Sequence, residues 1–361
     1  MKILIYDVHA SESGALEILN DLYKQISEYE DKSIKWIFAV SKPEYKEQEN
    51  IITLRYPWVK KSWFHRLYFD YVVTRKILKR YKPDKVFSLQ NKGISFYKKP
   101  QCVYLHLPSV LTDHKFNLRR DGKILWLHQN VLKKMIFASL RKVDKTIVQT
   151  QWMKDALIEK AKVKDDKIIL LPPDISTNNI GKFSDDKENR INFFYPAASY
   201  TYKNHLTVLK ACKYIQEKGV TDYKVTFTIR PDENKHTEMM YKYVMEHNLK
   251  IGFDGSIPRE KVFKNYQQSV LLFPSFIESF GLPLLEARLS GSFIVASDSP
   301  FAREILDNYN NALFFEYLDY KALGDHMIQI MTVQKYEKIN PIEIQTHKKE
   351  SNKLTEIVLN L

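Results

Sequence analysis

The chain has 361 residues, 44% hydrophobic and 27% charged, a composition that excludes a disordered or fibrous protein. Its two cysteines, Cys102 and Cys212, stand far apart, which excludes a disulfide-stapled scaffold and a cysteine metal cluster and points to a reducing compartment. The net charge of +13 is local: residues 51–150 hold 22 Lys+Arg against 5 Asp+Glu, and the other 261 residues hold 34 against 38. Such a field draws phosphates of nucleic acid, of an anionic membrane or of a charged substrate, or is only a lysine-rich solvated face.

In chain order, Lys2–Tyr6 reads as a first strand, and Asp7 breaks the apolar run too early for a signal peptide. Further strands are expected at Lys35–Val40, Ile51–Leu54, Lys85–Leu89, Cys102–Leu105 and Thr146–Gln149, with amphipathic helices at Ala15–Tyr29 and Trp63–Tyr81. Phe116–Lys142 interleaves Leu, Ile, Trp and Phe with Arg119, Arg120, Lys123, Lys133, Lys134, Arg141 and Lys142. It reads either as a membrane-surface element or as a helix whose apolar face is core. Leu171–Arg190, with paired prolines and turn formers, is the expected boundary. Strands resume at Ile191–Tyr195, Lys224–Ile229, Val270–Phe273 and Phe293–Ala296. Strands alternating with helices imply parallel sheets, and so many strands imply two Rossmann-like halves. No run reaches 18 apolar residues, so no transmembrane helix is expected and the chain reads as soluble and intracellular.

The sequence has no G-x-G-x-x-G and no P-loop, so neither a dinucleotide oxidoreductase nor a P-loop NTPase is supported. It has no G-x-S-x-G and no Asp-x-Asp, and its ten histidines form no metal-ligand pattern. The chemistry concentrates in Val270–Asp307. There a strand ends at Pro274-Ser275, a loop carries Glu278-Ser279-Phe280-Gly281, and Leu282-Pro283 opens a helix. The N–H groups of Phe280, Gly281 and Leu282 then point out at the positive helix end, an anion site suited to a diphosphate. Glu286 is expected in the first helical turn, either within reach of ribose hydroxyls or as a simple partner of the helix dipole.

The run Pro274, Ser275, Glu278, Ser279, Phe280, Gly281, Leu282, Pro283, Glu286, Ala287, then Gly291, Ala296, Ser297 and Glu304, resembles the signature of the retaining family 4 glycosyltransferases. The resemblance implies an α/β GT-B fold: two facing Rossmann-like domains with an interdomain cleft. Residues 1–180 would bind the acceptor and carry the basic membrane-facing surface. Residues 181–361 would bind the nucleotide sugar, with the last residues crossing back. Upstream, Tyr195–His205 resembles the family's phosphate-binding element, which gives Lys203 to the donor phosphates. Ala197-Ala198 stand where many members have Gly-Arg. Phe253–Gly255 resembles the element before the nucleobase pocket; Gly14 falls where members have glycines near the diphosphate, and His106 where they have a histidine facing the donor sugar.

The implied reaction is transfer of a sugar from a nucleotide-diphosphate donor, UDP by family frequency, to a hydroxyl, with retention and without metal or other cofactor. Glu278 and His106 would be catalytic; Lys203, Ser279, Phe280, Gly281, Leu282, Glu286 and Gly14 would bind substrate. The basic segment, with Trp58, Lys60, Lys61, Trp63 and Arg66, fits an anionic membrane surface and a lipid-linked saccharide acceptor. This describes a peripheral enzyme of capsule or surface-polysaccharide assembly on the inner face of the plasma membrane. A nucleic-acid-binding protein using the same basic segment is the alternative from another class; it leaves Glu278 and Glu286 without a role, so no nucleic acid is expected. A non-catalytic GT-B partner subunit and a GT-B epimerase are further alternatives.

Overall fold

The computed structural model describes residues 1–9, 13–173, 180–332 and 354–361. Residues 174–179 of the expected boundary, residues 10–12 before Gly14 and residues 333–353 lie outside the described residues. The chain forms two compact units. The first is Met1–Lys115, Ile124–Pro172 and Lys348–Leu361; the second is Phe116–Lys123 and Pro173–His347. The main division thus falls between Pro172 and Pro173, within the expected boundary Leu171–Arg190 and before residue 180.

The first unit holds seven parallel strands: β1 (Lys2–Asp7), β2 (Lys35–Val40), β3 (Ile51–Arg55), β4 (Lys85–Ser88), β5 (Gln101–Tyr104), β6 (Lys145–Val148) and β7 (Ile168–Leu170). Their order is β3-β2-β1-β4-β5-β6-β7. The second unit holds β8 (Asn192–Tyr195), β9 (Lys224–Phe227), β10 (Ile251–Phe253), β11 (Val270–Phe273), β12 (Ile294–Ser297) and β13 (Ala312–Phe315), ordered β10-β9-β8-β11-β12-β13. Central strands such as Trp36–Val40 and Val270–Phe273 are buried along their length, as parallel strands covered on both faces must be. Each unit is a Rossmann-like α/β sheet. In each, strand order reverses beside the first strand, between β1 and β4 and between β8 and β11, where ligands of such sheets bind.

Three strands, β7, β10 and β13, were not expected from the sequence, and all three are sheet edges. The helix foreseen at Trp63–Tyr81 forms, but with a widened turn at Phe69–Val73, where the Thr74 N–H bonds the Phe69 carbonyl five residues back. The stretch from Lys123 to Leu140 is also helical with a widened turn, and its apolar side chains are divided between core and solvent. Ile136, Phe137 and Leu140 pack into the core, whereas Ile124 is 70% exposed and Trp126 and Val131 also face solvent. The final helix, Leu354–Leu359, completes the first unit's core against Leu19, Leu22 and Ile26, and Thr355 Oγ1 bonds Gln25 Oε1 (3.2 Å). Among the described residues, no helix is long and apolar enough to cross a membrane. Cys102 and Cys212 are free, buried thiols; burial pushes Cys212 up to about 12.

Candidate active site

In the second unit the site grows from the carboxyl ends of β8 and β11. After β8 the chain makes a short turn, Thr201–Lys203, and Asn204 takes a left-handed conformation (φ 60°) that a short polar side chain tolerates. Asn204 Nδ2 donates to the carbonyls of Pro274 (3.2 Å) and Tyr317 (2.6 Å), and Tyr195 Oη donates to the Lys203 carbonyl (2.6 Å). These bonds fix Lys203 beside the loop that follows β11. Lys203 Nζ meets Glu278 Oε1 at 2.5 Å, and Ser275 Oγ donates to the same oxygen at 2.6 Å. The two charged side chains are 18% and 15% exposed, so the pair is sheltered yet open to a ligand. Burial, then the Glu278 charge, pushes the Tyr195 and Tyr202 phenols far up, so both stay protonated.

Gly281 caps the helix Leu282–Ser290 with φ 99°, a conformation that favours glycine. A Cβ there would also stand 3.3 Å from Leu284 Cδ1 and 3.4 Å from Phe301 Cδ2. Among the described residues, the N–H groups of Phe280, Gly281 and Leu282 bond no protein acceptor. They therefore face outward from the positive helix end, a few residues from the Lys203–Glu278 pair. Phe280 itself is buried, and Ser279 sits between it and Glu278.

Glu286 departs from the expectation. The helix starts at Leu282, so its first turn holds no acidic residue and Glu286 lies one turn deeper, 1% exposed. Tyr266 Oη donates to Glu286 Oε2 (3.0 Å), and Arg259 Nη2 pairs with Oε1. A role as dipole partner is thereby removed. The carboxylate instead orients Arg259, whose side chain is 53% exposed at the start of the helix Arg259–Gln268. Sequence reasoning missed Arg259 and Tyr266 and gave Ser275 and Asn204 no role of their own; Pro258-Arg259 opening a helix after Gly255 was the available signal.

Gly14 and His106 belong to the first unit. Gly14 is the second residue of the helix Ser13–Glu28. His106 follows β5, where its N–H donates to Asn91 Oδ1 (2.8 Å). Its Nδ1 is enclosed without a partner among the described residues, and burial lowers the ring to about 4, so the imidazole is neutral at pH 7. A cavity of about 250 Å³ lies at the opposite, amino ends of β8 and β9, lined by Asn192 and Lys224, and has no share in this site.

Residues 176–342 match the family described as Glycosyl transferases group 1, and residues 36–179 match Glycosyltransferase Family 4. The O-antigen chain mannosyltransferase RfbU of Salmonella typhimurium is 22% identical over 219 residues, 58% of this chain. The chain spans 59% of the length of that relative. Among solved structures, a sucrose-phosphate synthase from Thermosynechococcus elongatus superposes with a TM-score of 0.69 at 15% identity, covering 92% of this chain and 90% of its own. Anabaena Alr3699/HepE, in complex with UDP and glucose, gives 0.66 at 15% identity, with the same coverage of 92% and 90%. At such identity these structures bear on the fold alone.

Proposed function

This chain belongs to the family 4 glycosyltransferases of GT-B fold, and we propose that it transfers a sugar, with retention, from a nucleoside-diphosphate donor to a saccharide hydroxyl. The observation that carries this reading is the Lys203–Glu278 pair, 2.5 Å apart, next to a helix end with three outward N–H groups. Breaking the anomeric bond puts negative charge on the departing diphosphate and positive charge on the sugar ring. Lys203 and the N–H groups of Phe280, Gly281 and Leu282 would meet the first, and Glu278 the second. Lys203 is now neutralised by Glu278; an arriving phosphate competes for the ammonium and frees the carboxylate toward the ring. Front-face attack gives the acceptor's proton to the leaving phosphate oxygen, so neither a protein base nor a metal is required. A UDP-sugar is the proposed donor, and Glu286 acts on it together with Arg259.

The proposed acceptor is a lipid-linked saccharide in capsule or surface-polysaccharide assembly, reached from the inner face of the plasma membrane. Exposed Trp63 and Phe64 (58% and 81%) beside Lys60 and Lys61, and exposed Ile124 and Trp126 beside Lys123, support a surface that docks on anionic lipid. The test is incubation with a panel of nucleotide sugars and a lipid-linked saccharide, with the product's anomer read by NMR. Consumption of one UDP-sugar with retention, unaffected by EDTA, is expected. Inversion or loss of turnover in EDTA would overturn the mechanism, and the absence of any donor binding would overturn the activity. Flotation with anionic vesicles at low salt tests the docking surface; failure to float would remove it.

A further inference from the structure

A second charged cluster stands in the first unit at the carboxyl ends of β1 and β4. Its core is Asp70, 8% exposed, carried on the widened helical turn Phe69–Val73. Tyr6 Oη (3.0 Å) and Arg66 Nε (3.0 Å) donate to Asp70 Oδ1, and Lys92 Nζ donates to Oδ2 (2.8 Å). Burial alone would raise the Asp70 carboxyl; the Arg66 and Lys92 charges and hydrogen bonds outweigh it and hold it below the ordinary range. One carboxylate therefore faces two cations, and Asp70 leaves one of their positive charges unmatched.

Arg66 also donates through Nη2 to Gln90 Oε1. That contact fixes which end of the Gln90 amide faces the guanidinium and leaves two donors beside it, Arg66 Nη1 and Gln90 Nε2. Both atoms are enclosed and, among the described residues, neither has a protein partner; Gln90 is only 4% exposed. Enclosed donors normally find acceptors, and two on adjoining side chains, beside surplus positive charge, call for a group that only accepts. A cavity of about 90 Å³ adjoins the cluster, lined by Tyr6, Asp70 and Lys92 but not by Arg66 or Gln90, with Ile94, Phe96 and Met135 on its apolar wall. Its volume exceeds the roughly 30 Å³ of one water molecule. Between Gln90 and Lys92, Asn91 holds the backbone of His106, so this cluster and the histidine share one loop.

We propose that Arg66 and Gln90, backed by Lys92, bind a carboxylate or phosphate carried by the saccharide acceptor. The inference rests on the transferase reading above, which gives the donor's diphosphate to Lys203 and the helix at Leu282. It makes the acceptor an acidic sugar or a sugar phosphate, and Arg66 and Gln90 the residues that select it.

The test is thermal shift of the full chain at low ionic strength with glucuronic acid, glucose 6-phosphate and glucose, repeated with Gln90→Glu and Gln90→Leu. One anionic sugar should raise the melting temperature at a concentration where glucose does not. Gln90→Leu should weaken that response about tenfold. Gln90→Glu, whose new carboxylate pairs with Arg66 and preserves the fold, should abolish it. A side chain with only a structural role would not produce that order. Equal responses to glucose and the anions, or a Gln90→Glu protein that keeps the wild-type response, would overturn the proposal. So would loss of the response in saturating UDP, which would give the site to the donor's phosphates. Nucleotide sugars titrated into the same samples separate the two readings: donor binding without an anion response refutes only this inference, whereas no donor binding refutes the transferase reading itself.

Discussion

The two charged clusters sit at equivalent edges of two similar sheets and differ in how their charges balance. In the second unit Glu278 meets one cation, Lys203, and one hydroxyl, Ser275, and the charges cancel. In the first unit Asp70 meets two cations, Arg66 and Lys92, with a phenol besides, and positive charge is left over. A carboxylate matched by one lysine can exchange it for an incoming phosphate. A carboxylate clamped from two sides is an anchor, and the work falls to the cations it aligns. On the proposed reading, the same fold offers a carboxylate for chemistry in one unit and a cation for recognition in the other.

The sharpest way to break this contrast is to neutralise each carboxylate. Glu278→Gln should lower the rate of sugar transfer by about 10²–10³-fold, the scale for losing one transition-state contact, with little change in melting temperature. Steady-state kinetics beside a thermal melt checks both. Asp70→Asn should do the reverse to the fold: it strands the sheltered Arg66 and removes the partner of the more open Lys92, and costs about 3 kcal/mol, the low end for breaking a buried pair. Denaturant unfolding measures it, and a loss no larger than that of Glu278→Gln would erase the distinction. Gly281→Ala comes next. A left-handed alanine costs about 1–2 kcal/mol, and its Cβ crowds Leu284, so the second unit should melt a few degrees lower.

The smallest effect concerns His106, lowered to about 4 by burial. Between pH 6.5 and 4 the unfolded chain takes up a proton that the folded ring refuses, so stability falls as pH falls through that window. A His106→Gln variant should lose stability less steeply on acidification. Transfer activity should show no inflection from this ring between pH 5 and 8, because it stays neutral there. A His106-dependent inflection near pH 6.5 would contradict the enclosed geometry.

What the sequence revealed follows from how each site is assembled. Glu278 and the Gly281 helix cap lie within one short run whose strand, loop and helix are consecutive, so their residue types and order carried the chemistry. Lys203 was legible only through family resemblance, since nothing local pairs it with Glu278. The helix start at Leu282 was foreseen, but Glu286 is its fifth residue, just past the first turn, and that places the carboxylate against Tyr266. In the first unit, Tyr6, the Arg66 and Asp70 pair one helical turn apart, and Gln90 come from three segments that only the fold brings together, so the cluster as a whole left no local pattern. The buried central strands announced themselves as apolar runs. Edge strands β7, β10 and β13 did not: they are three or four residues long and partly exposed, and β10 carries a glycine.

The most direct test of the account is calorimetric titration of a nucleotide-sugar panel into the wild-type chain, Lys203→Ala and Glu286→Ala. The account predicts that one donor binds the wild type and that each substitution weakens it about tenfold or more, the worth of a charge-assisted hydrogen bond. Donor affinity unchanged by Lys203→Ala, or no binding of any nucleotide sugar to the wild type, would contradict it.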